Sequence, residues 1–268
     1  MFENQKWKEC NVQDAQKVML STLDEVDRIC KKYSIPYWLE AGSLLGCVRH
    51  SGFIPWDDDL DIGMLKSDFE KFSNVVQKEL PPHLVFQTKN TDPKYHKKIP
   101  KIRNIYSKIV EDDETETEQY CQGIFVDIFV FDYISTTELL IRKNLVKLLK
   151  LKAKKSLFPK GSIKRALFNL CLVPIQISYT LLKVLLQRLH TGKRSPFIGT
   201  TPDFTIYGLN HRTEWVFPLK NALFEGREFP IFFNADAALT NHFGNWRQIP
   251  PKDKRVSHAK KIYISREK

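Results

Sequence analysis

The chain has no CxxC pair, no internal repeat and no low-complexity linker. Nor does it have an uninterrupted apolar run near the eighteen or so residues that a bilayer crossing needs. Its five cysteines (Cys10, Cys30, Cys47, Cys121 and Cys171) are odd in number and scattered. That argues against a structural zinc and a disulfide framework, and for small buried apolar side chains in a reducing compartment. The segment Met1–Glu9 lacks the apolar stretch of a secretory signal, so a cytoplasmic location is expected. A zinc or basic recognition motif and an RNP-like aromatic strand are also missing, which argues against nucleic acid as a partner.

Acidic residues are absent between Glu138 and Asp203, a stretch that holds fourteen lysines and arginines. Taking those fourteen from the net +11 leaves the remainder of the chain at −3. A slightly acidic body therefore carries one basic segment. The 268 residues, with 42% apolar and 12% aromatic side chains, suffice for one domain with an elaborate insertion.

The densest chemistry lies in Trp38-Leu-Glu-Ala-Gly-Ser-Leu-Leu-Gly-Cys-Val-Arg-His50 and in Gly52-Phe-Ile-Pro-Trp-Asp-Asp-Asp-Leu-Asp-Ile62. Four carboxylates, Asp57, Asp58, Asp59 and Asp61, sit between apolar residues. Two carboxylates about 5 Å apart repel by roughly 3 kcal/mol at an effective dielectric of about 20, so something positive belongs between them. A hard divalent cation fits, magnesium or else manganese. If Leu60-Asp61-Ile62 is a strand, parity puts Asp59 and Asp61 on one face and Leu60 and Ile62 on the other. Magnesium takes one or two carboxylates together with waters and substrate phosphates. Gly42-Ser43 before Leu44-Leu45 reads as a turn entering a short helix, whose free amides suit a phosphate. Phosphoryl or nucleotidyl transfer is the reaction type these elements share.

Further along, Val12, Ala15, Met19, Thr22, Val26 and Ile29 recur at three- and four-residue spacing, which predicts an amphipathic helix over 12–33. Ser67 and Glu70 form a capping-box pattern for a helix that ends near Glu79, before Pro81-Pro82. Short strands are expected near Leu84–Gln87, Lys98–Ile105 and Lys108–Val110. The acidic run 111–118 reads as a solvated hairpin loop. In Gly123-Ile-Phe-Val-Asp-Ile-Phe-Val-Phe131 the lone acid Asp127 is embedded in an apolar strand, where a carboxylate survives only if paired or coordinated. It is the third candidate metal ligand. Asp132, just past the strand, reads as a cap or turn residue. Residues 137–155 and about 164–189 read as cation-rich amphipathic helices, the second with Pro174 inside it. They fit either an anionic membrane surface, as a peripheral contact through 139–194, or a helical subdomain with its lysines in water. Trp215–Pro218 and Phe224–Phe233 look like strands.

The segment Trp38–Ile62 resembles the LicD family of phosphocholine transferases. Gly123-Ile-Phe-Val-Asp-Ile-Phe129 resembles its second motif. Phe243-Gly, Asn245-Trp246, Pro250-Pro251, Arg255 and His258 resemble its closing region. Residues of about 137–200 match no motif. The resemblance implies an α/β (α+β) fold, a nucleotidyltransferase-like mixed sheet flanked by helices, within one catalytic domain that carries the basic insertion. It also implies transfer of a phospho-alcohol, typically phosphocholine from CDP-choline, to a sugar hydroxyl of a surface polysaccharide, teichoic acid or lipopolysaccharide precursor. Fukutin-type enzymes share the aspartate motif and use CDP-ribitol.

Mapped onto this chain, Gly42 and Ser43 would hold donor phosphate, and Asp59, Asp61 and Asp127 would carry one or two magnesium ions. Asp127 is also the candidate acceptor of the hydroxyl proton. Asp57 and Asp58 would orient the loop, and His258 with Arg255 would close over the site from the C-terminal region. Arg49 and His50 fit a phosphate contact, though Arg49 equally fits a salt bridge to Asp57 or Asp58. Lys98, Lys101 and Arg103 suit donor phosphate or the exposed face of a strand. Tyr37, Trp38 and Trp56 suit either the core or a quaternary ammonium. The basic segment fits a glycan acceptor linked to lipid at the inner membrane face. A nucleotidyltransferase moving NMP to a small molecule, an Asp-x-Asp glycosyltransferase and a membrane-surface scaffold are the competing readings.

Overall fold

The structure, a computed structural model, describes residues 7–143, 162–164, 194–201 and 208–265, together with separate helical residues between 167 and 185. The chain divides into two compact units, Met1–Val130 with Trp215–Lys268, and Phe131–Glu214. The basic insertion expected over 137–200 falls in the second.

In the first unit, strand β1 (Trp7–Glu9) precedes helix α1 (Val12–Lys32). Asn11 caps α1 by accepting from the Asp14 amide at 2.9 Å. Its predicted stripe is the buried one: Ala15, Met19, Leu23, Val26 and Ile29 are fully enclosed. There follow β2 (Trp38–Leu39), α2 (Ala41–His50), β3 (Asp61–Leu65), α3 (Lys66–Glu79), β4 (Leu84–Gln87), β5 (Lys101–Asn104), β6 (Ser107–Glu111) and β7 (Ile124–Ile134). The central sheet runs β2-β3-β7-β5-β4. Helix α1 packs on β5 and α3, and α3 packs on β3 and β4, giving the mixed sheet flanked by helices that the family resemblance implies.

Strand β7 is buried from Ile124 through Phe131, so its apolar run belongs to a strand covered on both faces. Toward the C-terminus, β10 (Lys220–Phe224) and β11 (Arg227–Ile231) form a hairpin whose turn, Glu225-Gly226, has positive φ at both residues (51° and 75°). Helix α5 (Ala235–Phe243) follows, and β12 (Ala259–Ser265) pairs with β1 and β6.

In the second unit, Phe131–Ile134 of β7 pair antiparallel with β8 (Phe197–Thr200), which pairs with β9 (Asn210–Arg212). Residues 136–143 are helical. There Glu138 and Arg142 form a buried i,i+4 ion pair at 2.6 Å, and Arg142 also donates to the Thr200 carbonyl. Arg142 is therefore an internal residue rather than one of the surface cations. Of the two expected basic helices, at 137–155 and about 164–189, residues 144–155, 186–189 and several between 165 and 183 lie outside the described residues.

Several expectations need correcting. Helix α3 starts at Lys66, and its cap position is Leu65, without a side-chain bond, so Ser67 is inside the helix. Trp215 and Val216 belong to a short helix, α4 (Thr213–Val216), instead of a strand. Asp132 lies within β7, where its Oδ1 accepts from the Tyr133 amide at 2.8 Å. In the acidic run, Glu114 is buried: Lys97 approaches it at 3.0 Å and Tyr120 donates to it at 2.8 Å. Lys97 also meets Glu111 at 2.8 Å and Asp113 at 2.9 Å, so it gathers three acids at one end of a run whose remaining residues are largely exposed, as a solvated loop should be.

Candidate active site

Strands β2 and β3 pair antiparallel, with Trp38 opposite Gly63 and Leu39 opposite Ile62. Gly63 has no side chain because the Trp38 indole passes over it; a Cβ there would lie 2.2 Å from Nε1. Trp38 is fully buried, edge-on to Phe217 and Phe232, and donates to Glu40 Oε2 at 2.8 Å. The other carboxylate oxygen of Glu40 accepts from the Ala41 amide at 3.1 Å, so Glu40 caps α2. Gly42 and Ser43 thus lie in the first turn of α2, one residue deeper than a turn ahead of it. Ala41 takes a left-handed φ of 43° to make the bend, a conformation a non-glycine residue keeps only under tertiary constraint.

Two hydrogen bonds tie this first turn to the aspartate strand. The Asp61 amide donates to Ser43 Oγ at 2.8 Å, and the Glu40 amide donates to the Asp61 carbonyl at 3.0 Å. Asp57 comes in beside Gly42, where a Cβ would stand 2.9 Å from Asp57 Oδ2. Gln16 of α1, buried on the apolar stripe, donates to the carbonyls of Ile54 (3.0 Å) and Asp57 (2.9 Å) and holds the loop. From the other side, the Asp127 amide donates to the Leu60 carbonyl at 2.8 Å, bringing β7 against the cluster.

The acids perturb one another. Burial, followed by the charges of Asp59, Asp127 and Asp57, pushes Asp61 well above the ordinary carboxylate range. Burial and the neighbouring Asp59 raise Asp57 to about 9. Burial raises Asp59 as well, against the hydrogen bond with Asp57 that favours its ionised form. Burial raises Asp127 to about 6, opposed by Lys101. Lys101 stands opposite Asp127 in the β5–β7 register, with Nζ 2.7 Å from Oδ1 and 3.2 Å from the centre of the Phe125 ring. The contact is a short ion pair buried on both sides.

The C-terminal region is fastened here by Asp58. Its buried carboxylate accepts from the Ser257 hydroxyl at 2.9 Å, the His258 amide at 3.1 Å and the Ala259 amide. Asp58 is thus a clamp for the strand entry of β12, and it brings His258 close enough for its charge to act on Asp59. Arg255 stacks on Trp56 at 4.1 Å. Arg49 donates to the Trp246 carbonyl at 2.8 Å and to His50 Nε2 at 3.0 Å, and burial lowers both its pKa and that of His50.

The sequence reading therefore needs changes in detail. Asp57, Asp58, Asp59, Asp61 and Asp127 do gather around one loop. Lys101 and Arg103 are buried, against the alternating exposed face considered for them. Arg103 donates to Gln87 and, at 2.7 Å, to the Gly123 carbonyl, so it braces the sheet. Tyr37 and Trp38 are core residues; the Tyr37 hydroxyl donates to Asp27 at 2.9 Å. Among the aromatics first considered for a cationic head group, that leaves only Trp56 half-exposed. The parts played by Gln16, Glu40 and Ser257 were not anticipated. Gln16 could have been found as the polar residue on an apolar stripe, whereas nothing marks Ser257.

Among the described residues no group of three or more His, Cys, Asp and Glu side chains is arranged to hold a metal ion. The set Asp59, Asp61 and Asp127 is thus not assembled as a closed protein cage, and Lys101 already neutralises part of Asp127. The donor chemistry suits magnesium nonetheless, since that ion takes one or two carboxylates and completes its shell with waters and substrate phosphates.

Over residues 34–174 the chain matches the family described as LicD/FKTN/FKRP, nucleotidyltransferase domain. It is 26% identical over 274 residues to the lipopolysaccharide cholinephosphotransferase LicD of Haemophilus influenzae, spanning 96% of this chain and 99% of that protein. A shorter stretch of 52 residues is 40% identical to the ribitol 5-phosphate transferase FKRP of human and of mouse, 19% of this chain and 10% of theirs. The family match covers more than half of the chain and takes in the whole aspartate loop and Asp127, and on that ground the chain belongs to the LicD/FKTN/FKRP nucleotidyltransferase-domain family.

Proposed function

We propose that this protein moves a phospho-alcohol, phosphocholine in the first instance, from a CDP-linked donor to a sugar hydroxyl of a cell-surface glycan precursor. Membership of the family and the near full-length similarity to a cholinephosphotransferase make it a transferase of phosphorus-containing groups. The observation that carries the finer reading is the bond from the Asp61 amide to Ser43 Oγ, which ties the aspartate strand to the first turn of a helix. Donor pyrophosphate needs both parts, amide donors on one side and a metal-bearing carboxylate pair on the other. The Ala41 amide is taken by Glu40 and the Leu44 amide by the Glu40 carbonyl, which leaves those of Gly42 and Ser43 for phosphate oxygens.

Magnesium, or manganese, held at Asp59 and Asp61 would neutralise pyrophosphate charge and orient an in-line displacement. Asp57, packed on Gly42, keeps the loop against the helix. Asp127, ion-paired to Lys101, is the acid placed to take the proton of the attacking hydroxyl. His258 and Arg49 would supply positive or polar groups to the donor. Trp56, already stacked by the Arg255 guanidinium, offers a ring face to a quaternary ammonium.

The competing reading, transfer of NMP, would use the same carboxylates. Purified protein incubated with CDP-choline or with CTP, magnesium and a sugar acceptor distinguishes them by which half of the nucleotide reaches the acceptor. Phosphocholine on the acceptor with CMP released supports the proposal; CMP on the acceptor refutes it.

A further inference from the structure

The second unit carries an exposed apolar helix face that phosphoryl transfer does not use. The described residues between 163 and 185 are helical apart from gaps, and Ile163, Leu167, Leu170, Ile177, Leu181 and Val184 recur at intervals of three, four and seven residues. That period is one helix face. All six are exposed, Ile163 by 79%, Leu170 by 68% and Leu181 by 67%. A contiguous apolar face of this kind on a soluble chain marks an interaction surface.

Charge decides what covers it. The stretch between Glu138 and Asp203 contains no acid and fourteen bases. Arg142 is spent on Glu138, but Lys143, Lys164 and Arg194 are exposed. Two copies of this chain meeting on the stripe would bring two acid-free, cation-rich segments together, and their like charges would oppose association. An anionic bilayer supplies both missing features, acyl chains for the leucines and lipid phosphates for the lysines and arginines. Among the described residues no helix is long and apolar enough to cross a membrane, so the fit is to a surface.

We infer that the helix face carrying Ile163, Leu167, Leu170, Ile177, Leu181 and Val184 docks this protein on anionic lipid bilayers. This inference stands apart from which alcohol is transferred, because binding is read without turnover.

Flotation of the full chain with vesicles of phosphatidylcholine, and of phosphatidylcholine mixed with phosphatidylglycerol, tests it. Binding to the anionic vesicles should exceed that to neutral ones by about tenfold or more and weaken as salt rises. Leu167→Ser/Leu170→Ser/Leu181→Ser should lower it by about tenfold or more, and Lys143→Glu/Lys164→Glu/Arg194→Glu should lower it on anionic vesicles alone. The charge variant leaves the apolar face intact, so a folding defect in the leucine variant does not rescue or sink the inference by itself. Failure to bind either vesicle, equal binding to both, or full binding by the leucine variant with native far-UV circular dichroism overturns it. So does a concentration-dependent dimer in light scattering that the leucine variant abolishes, which would assign the face to a second copy.

Discussion

Lys101 Nζ lies 2.7 Å from Asp127 Oδ1, with the lysine side chain 3% exposed and the aspartate 10%. The two face each other across β5 and β7, so one cannot be removed without leaving the other buried and unpaired. Lys101→Met should therefore destabilise the protein by about 3–5 kcal/mol. Adding Asp127→Asn should restore part of that loss, because the amide tolerates burial better than a lone carboxylate. Thermal denaturation of the two variants checks this, and a Lys101→Met protein as stable as wild type would contradict it.

Asp58 is the clamp on the C-terminal segment. Asp58→Ala removes the carboxylate acceptor of the part-buried His258 and Ala259 amides, at a cost of about 0.5–1.5 kcal/mol for each hydrogen bond lost. The expected outcome is faster amide exchange at Ala259–Ser265 and reduced transfer, with exchange in α1 unchanged. Uniform exchange across both elements would show that Asp58 acts on global stability instead.

Glu114 gives the fold an acid-sensitive point. Burial alone would raise its pKa, but hydrogen bonds from Lys97 and the Tyr120 hydroxyl outweigh it and hold it at about 2. The unfolded glutamate titrates near 4.3. A group depressed in the folded state stabilises fully above its unfolded pKa and loses that contribution as pH falls from about 4.3 toward 2. Glu114→Gln should be less stable at neutral pH and show a shallower loss below about pH 4.3 in chemical denaturation series. Parallel pH curves for the two proteins would remove Glu114 from the account.

These same residues show what sequence discloses and what it conceals. Asp127 could be read because a single acid in an apolar strand must have a partner. Its partner could not, since strand period tells which residues share a face but not which strand lies opposite. Lys101 and Arg103 alternate as exposed bases would, yet β5 is covered on both faces, so both are buried. The β2–α2–β3 arrangement was legible because Trp38, the Gly-Ser pair and the aspartates are adjacent in the chain. The Asp58 clamp spans about two hundred positions and left no local mark. Trp215–Val216 reads as strand from aromatic and β-branched composition, which says little for a four-residue helix.

Metal binding has a readout that does not depend on turnover. The charges of Asp59, Asp127 and Asp57 disfavour an ionised Asp61, so Asp61→Asn should raise the melting temperature of metal-free protein, by about 2–4 °C for each kcal/mol of repulsion relieved. Magnesium at about one hundred times its Kd should stabilise wild type by about 2.7 kcal/mol and leave Asp61→Asn unchanged. Equal magnesium shifts in both proteins would place the ion elsewhere.

Magnesium-dependent transfer by wild type, Asp59→Asn and Asp61→Asn, followed over a panel of CDP-choline, CDP-ribitol and CDP-glycerol with a sugar acceptor, tests the central claim most directly. Wild type should release CMP and label the acceptor from one donor only when magnesium is present. Both variants should fall by about a thousandfold or more while keeping the native circular dichroism spectrum. Retained transfer in both variants, or full wild-type turnover in the presence of chelator, would contradict a cation held at Asp59 and Asp61.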